Sequence, residues 1–143
     1  MKKILIVTIV PGSAVDRLAE MVKKHNEHLD IEIFPFHAKR HSKLDLEMFG
    51  QRAMDADLIN WEYWRNAEVL FEKFPWLKKK KNILTHHNPY DLHKIDTKLF
   101  DAVVVKNKTQ QEELPGSIYI PHAVDLDFFP FNEDYCPDKR CCQ

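Results

Sequence analysis

The sequence predicts an α/β fold, a Rossmann-like three-layer sandwich with a mostly parallel sheet of about six strands. Three observations lead there. The chain opens on a continuous β-branched apolar run, Ile4 to Val10, which suits a strand buried on both faces rather than a half-exposed antiparallel one. Short apolar runs then recur between segments with helical spacing, and strands that alternate with helices pair in parallel. The length, 143 residues, is that of one ordinary domain, which buries roughly 70% of the surface its unfolded chain exposes and so needs no disulfide or metal to hold a core.

The elements follow in order. The first strand, Lys2 to Val10, is broken by Pro11-Gly12-Ser13, and Ser13 caps a helix whose Val15, Leu18, Ala19 and Val22 recur at helical spacing. Asp30 to Phe36 reads as a second strand, Leu44 to Met54 as a helix, and Asp57 to Trp61 as a third strand. A helix over Asn66 to Leu77 follows from the spacing of Val69, Leu70, Lys73 and Phe74, with Pro75 kinking or ending it. Asn82 to His86 and Asp101 to Val105 are the fourth and fifth strands, Thr109 to Leu114 a short helix, and Ser117 to Ile120 the last strand. Past about Asp125 the periodicity ends, so residues 1–125 read as the domain and 126–143, aromatic and then acidic, as a tail or the start of an interdomain linker.

Charge and composition narrow the function. With 21 basic and 22 acidic side chains the net charge is -1, which gives no field to collect on nucleic acid. The longest apolar stretch is too short to span a bilayer and lacks a signal-peptide cleavage site, so the chain reads as cytoplasmic or peripheral to a membrane. Cys136, Cys141 and Cys142 crowd the last eight residues, which suits reduced thiols rather than a disulfide framework or a spaced zinc site. The run Lys78 to Lys81 after Phe74-Pro75-Trp76-Leu77 has the composition of a weak anchor for anionic lipid and equally that of a solvated helix end.

Ligands of open parallel sheets bind beyond the carboxyl ends of the strands. Those ends carry Gly12 and Ser13, then His37 and His41, then Trp61-Glu62-Tyr63-Trp64, then His86-His87-Asn88, and finally His122. Gly12 and Ser13 entering a helix could hold phosphate on backbone amides, although a dinucleotide fingerprint and a phosphate-loop Gly-Lys-Ser/Thr are both absent. Adjacent histidines on a strand point to opposite faces, so His86 and His87 do not share a metal ion; an acid/base or hydrogen-bonding role for one of them is the stronger expectation, and no metal is expected. Trp61, Tyr63 and Trp64 offer flat faces for a sugar ring, with Glu62 as polar partner, or they fill the core.

Three stretches together resemble the N-terminal, acceptor-side domain of glycosyltransferase family 4, retaining enzymes with two facing Rossmann-like domains (the GT-B fold). Ile83 to Pro89 resembles that family's strand-four ending, with His87 at its active-site histidine; Phe100 to Thr109 resembles "a-D-x-v-v-x-x-S", with Asn107 in place of serine; and Ile120 to Phe129 resembles "I-P-N-G-V-D-x-x-x-F", with His122 and Ala123 in place of Asn and Gly. The resemblance implies that His87 faces the donor sugar as the catalytic residue. Their place at the strand ends, rather than a family motif, makes Gly12, Ser13, His37, Trp61, Glu62, Asn88 and His122 the expected substrate-binding positions. The resemblance also implies a nucleotide-sugar donor as co-substrate with no other cofactor, an acceptor of unknown identity, and a C-terminal donor-binding domain with an E-x7-E motif to complete a hexosyltransferase-like enzyme. The family's glycine pair after the first strand is reduced here to Gly12. A stand-alone ligand-binding or regulatory module using the same crevice is the alternative.

Overall fold

The computed structural model describes residues 1–122. The boundary at 125, the segment 126–143 with its three cysteines, and the motif beyond His122 lie outside the described residues. The elements are β1 (Lys3–Thr8), α1 (Ala14–Lys24), β2 (Asp30–Pro35), α2 (Lys43–Asp55), β3 (Leu58–Trp61), α3 (Trp64–Lys73), β4 (Lys81–His86), β5 (Ala102–Val105), α4 (Lys108–Glu113) and β6 (Ile118–Tyr119). They form a six-stranded sheet in the order β2-β1-β3-β4-β5-β6, and every pair is parallel. The strand order reverses beside β1: the chain steps to β2 on one side and then crosses to β3 on the other.

Side-chain alternation sorts the sheet into two faces. Leu5 and Val7 stand opposite Ile59 and Trp61, which stand opposite Asn82 and Leu84. This row packs under α2 and α3 with Phe49, Ala53, Ala67, Leu70 and Phe71 in the main core. The intervening residues face the other way, where Ile4, Ile6, Ile31 and Ile33 pack against Ala19 of α1. Caps fix the helix starts: Ser13 Oγ accepts the Asp16 N–H at 3.2 Å, and Ser42 with Asp45 forms a reciprocal capping box on α2.

Two elements, β1 and α3, differ from the sequence expectation by more than one residue at an end, each for a physical reason. β1 stops at Thr8 because Val10 has already entered the turn, its carbonyl accepting the Ser13 N–H at 3.2 Å. α3 starts two residues earlier than expected, at Trp64, and ends at Lys73. Pro75 disfavours helical backbone at Phe74 (φ -130°, ψ 76°) and opens a separate 3₁₀ turn, Pro75–Lys79, which buries Leu77.

The Lys78 to Lys81 run sits at the amino end of β4, on the sheet edge opposite the histidines. Within it Lys80 Nζ donates to the carbonyls of Met54 and Ala56 at 2.6 and 2.7 Å, capping the end of α2, and Lys81 pairs with Asp101 at 3.7 Å. Half of the run is therefore structural. Among the described residues no helix is long and apolar enough to cross a membrane.

Candidate functional site

The two-residue period that sorts the sheet also decides which residues reach the carboxyl edge as functional groups. Asn60 and Glu62 share a face with Thr85 and His87, while Trp61 and His86 point into the core under α3. Glu62 is only 8% exposed, and its carboxylate is the hub of a short network. His87 Nε2 donates to Glu62 Oε2, Asn60 Nδ2 donates to Glu62 Oε1, and Thr85 Oγ1 donates to Asn60 Oδ1 at 2.9 Å. The main chain of Glu62 is tied as well, its N–H donating to Val7 O at 3.0 Å.

Because Glu62 accepts at Nε2, that nitrogen of His87 carries a hydrogen. Nδ1 is then the lone-pair nitrogen of the neutral ring and a donor in the imidazolium. It is buried and has no hydrogen-bond partner. The His122 ring stacks on His87 with centroids 5.2 Å apart and planes 19° apart. Partial burial lowers the His122 pKa, and the positive potentials of His87 and Lys106 add to this against the opposing pull of Glu62. Lys106, at the end of β5, is likewise lowered by burial and drawn back up by Glu62. One carboxylate, two imidazoles and one ammonium thus converge beyond the ends of β3, β4, β5 and β6, an arrangement able to hold or move a proton at His87 and to steady a developing charge.

The other expected site residues divide. Trp61 corrects the sequence reading: it is fully buried, its Nε1–H donates to Asn82 Oδ1 at 2.9 Å and its ring packs edge-on to Phe71 at 5.3 Å, so it has no face for a sugar. Gly12, in a left-handed conformation at φ 74°, and Ser13 are also corrected as an anion cradle. The Asp16 carboxylate accepts the Gly12 N–H at 2.7 Å and the Thr8 hydroxyl at 2.9 Å, occupying the place an anionic ligand would take. Asn88 is exposed, but its Oδ1 accepts the Tyr90 N–H at 2.9 Å and its carbonyl accepts from Gln110 Nε2 at 2.9 Å, which makes it first a turn residue. His86 is buried with Nε2 donating to Tyr90 O at 3.3 Å, and burial lowers its pKa.

His37 lies after β2 and lines a cavity of about 510 Å³ together with Ile9, Lys39, Arg40, Tyr63 and Arg65. Asn66 of α3 builds the floor of that cavity: fully buried, it donates to Thr8 O at 3.3 Å and to Phe36 O at 2.6 Å and accepts the Ala38 N–H at 3.0 Å. One amide therefore ties the ends of β1 and β2 to the start of α3. Asn66 and Arg65 are absent from the sequence expectation. The available signal was a polar residue on the otherwise apolar Ala67-Leu70-Phe71 face of a helix.

Among the described residues no group of three His, Cys, Asp or Glu is arranged to hold a metal ion. Comparison with models of known families, with curated proteins and with solved structures finds no match.

Proposed function

We propose that this chain is the acceptor-binding, N-terminal half of a retaining glycosyltransferase that moves a sugar from a sugar nucleotide to an acceptor. The observation that supports the reading best is the pairing of His87 with Glu62 at the carboxyl edge of the sheet. The histidine singled out by resemblance to glycosyltransferase family 4 is the one whose second nitrogen is held by a buried carboxylate.

In this reading Glu62 fixes the ring plane of His87 and leaves Nδ1 to hydrogen-bond the donor sugar, helping to stabilise the positive charge that develops on the sugar ring as the bond from its anomeric carbon to the diphosphate breaks. The acceptor oxygen bonds to the same face of that carbon, which retains configuration, and its proton passes to the departing diphosphate oxygen. Lys106 adds a cation beside the site, and the acceptor enters from the side of β1 and β2, where the cavity opens. A partner domain binds the nucleotide diphosphate, so this half alone has no turnover.

The test is a transfer screen of sugar nucleotides against small glycosyl acceptors, using the polypeptide that joins this domain to its donor-binding partner. Transfer with retained anomeric configuration is the expected result. A ligand that binds at the carboxyl edge with no transfer from any donor would replace the reading with that of a binding or regulatory module.

A further inference from the structure

The cavity beside His37 lies where the strand order reverses, between the carboxyl ends of β1, β2 and β3, the position at which parallel α/β sheets bind ligands. Its volume, about 510 Å³, suits a small molecule. Its polar lining includes three cationic side chains, Lys39, Arg40 and Arg65, and no carboxylate. Lys39 and Arg40 are exposed, Arg65 is half-buried, and among the described residues no carboxylate lies within ion-pairing distance of any of the three. Glu68 and Asp91 reach Arg65 only through a longer-range field.

Arg65 has a further peculiarity. Its guanidinium carbon sits 4.9 Å over the Trp64 ring, which fixes the side chain, yet its Nε is buried with no hydrogen-bond partner. A buried donor without an acceptor is costly, and an incoming acceptor group relieves that cost. His37 adds another donor, because its Nδ1 accepts the Lys39 N–H at 3.1 Å and the neutral ring must then carry its hydrogen on Nε2. α3 begins at the same place with no side-chain cap and no acidic residue in its first turn, whereas α1 and α2 carry Asp16 and Asp45 there.

Donors without acceptors, and cations without counter-ions, match a ligand that only accepts and carries negative charge. Three cations with no counter-ion among the described residues favour a dianion over a carboxylate. We infer that the cavity formed by His37, Lys39, Arg40, Tyr63 and Arg65 binds the phosphate monoester of a small ligand, with Arg65 as its fixed anchor. If the transferase reading holds, on which this second step rests, the phosphate belongs to the acceptor. Tyr63, which lines the cavity, follows directly in the chain on Glu62, the partner of His87, so cavity and histidine pair share the carboxyl edge of the sheet.

The experiment is calorimetric titration of the 143-residue protein at low salt with glucose 6-phosphate, inorganic phosphate, glucose and glucuronate. Glucose 6-phosphate is expected to bind at least about tenfold more tightly than glucose, the worth of one charge-assisted hydrogen bond. R65Q is expected to weaken it by about tenfold and R65K by less, and K39Q with R40Q to have an effect like that of R65Q. K78Q, which removes the same charge at the opposite sheet edge, leaves binding unchanged. Vesicles of phosphatidylcholine containing phosphatidic acid form a second arm: R65Q-sensitive binding to them identifies a lipid as the source of the phosphate, and binding of glucose 6-phosphate alone identifies a soluble one. Equal affinity for glucose and glucose 6-phosphate, or equal effects of R65Q and K78Q, overturns the inference. Transfer to neutral acceptors without phosphate binding sinks the phosphate site and leaves the transferase reading standing. Phosphate binding without transfer does the reverse.

Discussion

Replacing Glu62 with Ala removes the carboxylate on which His87 Nε2 and Asn60 Nδ2 converge and leaves both donors inside a site that water scarcely reaches. Each bond to a charged acceptor is worth about 1.5–3 kcal/mol, so the loss is about 3–5 kcal/mol, the range for breaking a buried ion pair from one side. Against a total stability of about 5–15 kcal/mol this is a large fraction, equivalent to roughly 10 °C in melting temperature for a domain of this size. Pairing itself is isolated by a double-mutant cycle of Glu62→Ala and His87→Ala, read as urea midpoints by circular dichroism at constant m-value. Each single variant strands the other partner, whereas the double variant strands neither. The cycle should therefore return a coupling of about 1.5–3 kcal/mol. A coupling under about 0.5 kcal/mol would show instead that solvent screens the pair as it does at a surface, and that Glu62 does not hold His87.

Other residues give separate outcomes. Asn66→Leu strands the Ala38 N–H and the Thr8 and Phe36 carbonyls, costs about 2–4 kcal/mol in urea unfolding, and weakens phosphate binding by loosening the cavity floor. Trp61→Phe keeps most of the ring packing but loses the bond to Asn82 Oδ1; it costs about 1–2 kcal/mol and leaves ligand affinity unchanged, whereas a stacking platform would lose affinity. Burial lowers the His86 pKa in the folded state, so the unfolded chain binds its proton first as pH falls. This contribution is complete above the unfolded pKa of 6.5 and is lost below it, with a slope of at most about 1.4 kcal/mol per pH unit. His86→Gln should flatten that part of a stability profile measured between about pH 7.5 and pH 5.

Much of the fold is legible in the sequence because its signals are local. The continuous apolar runs mark all six strands, Ser13 and Pro75 mark a helix start and a helix end, and the alternation of strand and helix dictates parallel pairing. The site is legible to a smaller depth. The two-residue period that separates His86 from His87 also separates Trp61 from Glu62, and the same argument applied to the third strand places Trp61 in the core. The Glu62–His87 contact joins residues 25 apart across neighbouring strands, and no local pattern encodes it. The phosphate-binding expectation for Gly12 and Ser13 fails for a local reason: Asp16, one turn into α1, supplies the negative charge itself. Arg65 and Asn66 stay hidden because their roles come from the meeting of β1, β2 and α3, and only the assembled edge brings those together.

In the proposed transferase, His87, held by Glu62, acts on the donor sugar. The direct measurement is transfer turnover of His87→Gln in the polypeptide carrying both domains, since Gln still offers a donor to Glu62 and spares the fold. Turnover is predicted to fall by at least about 100-fold with an unchanged urea midpoint. Turnover equal to that of the unsubstituted polypeptide would contradict a role for His87 at the donor sugar.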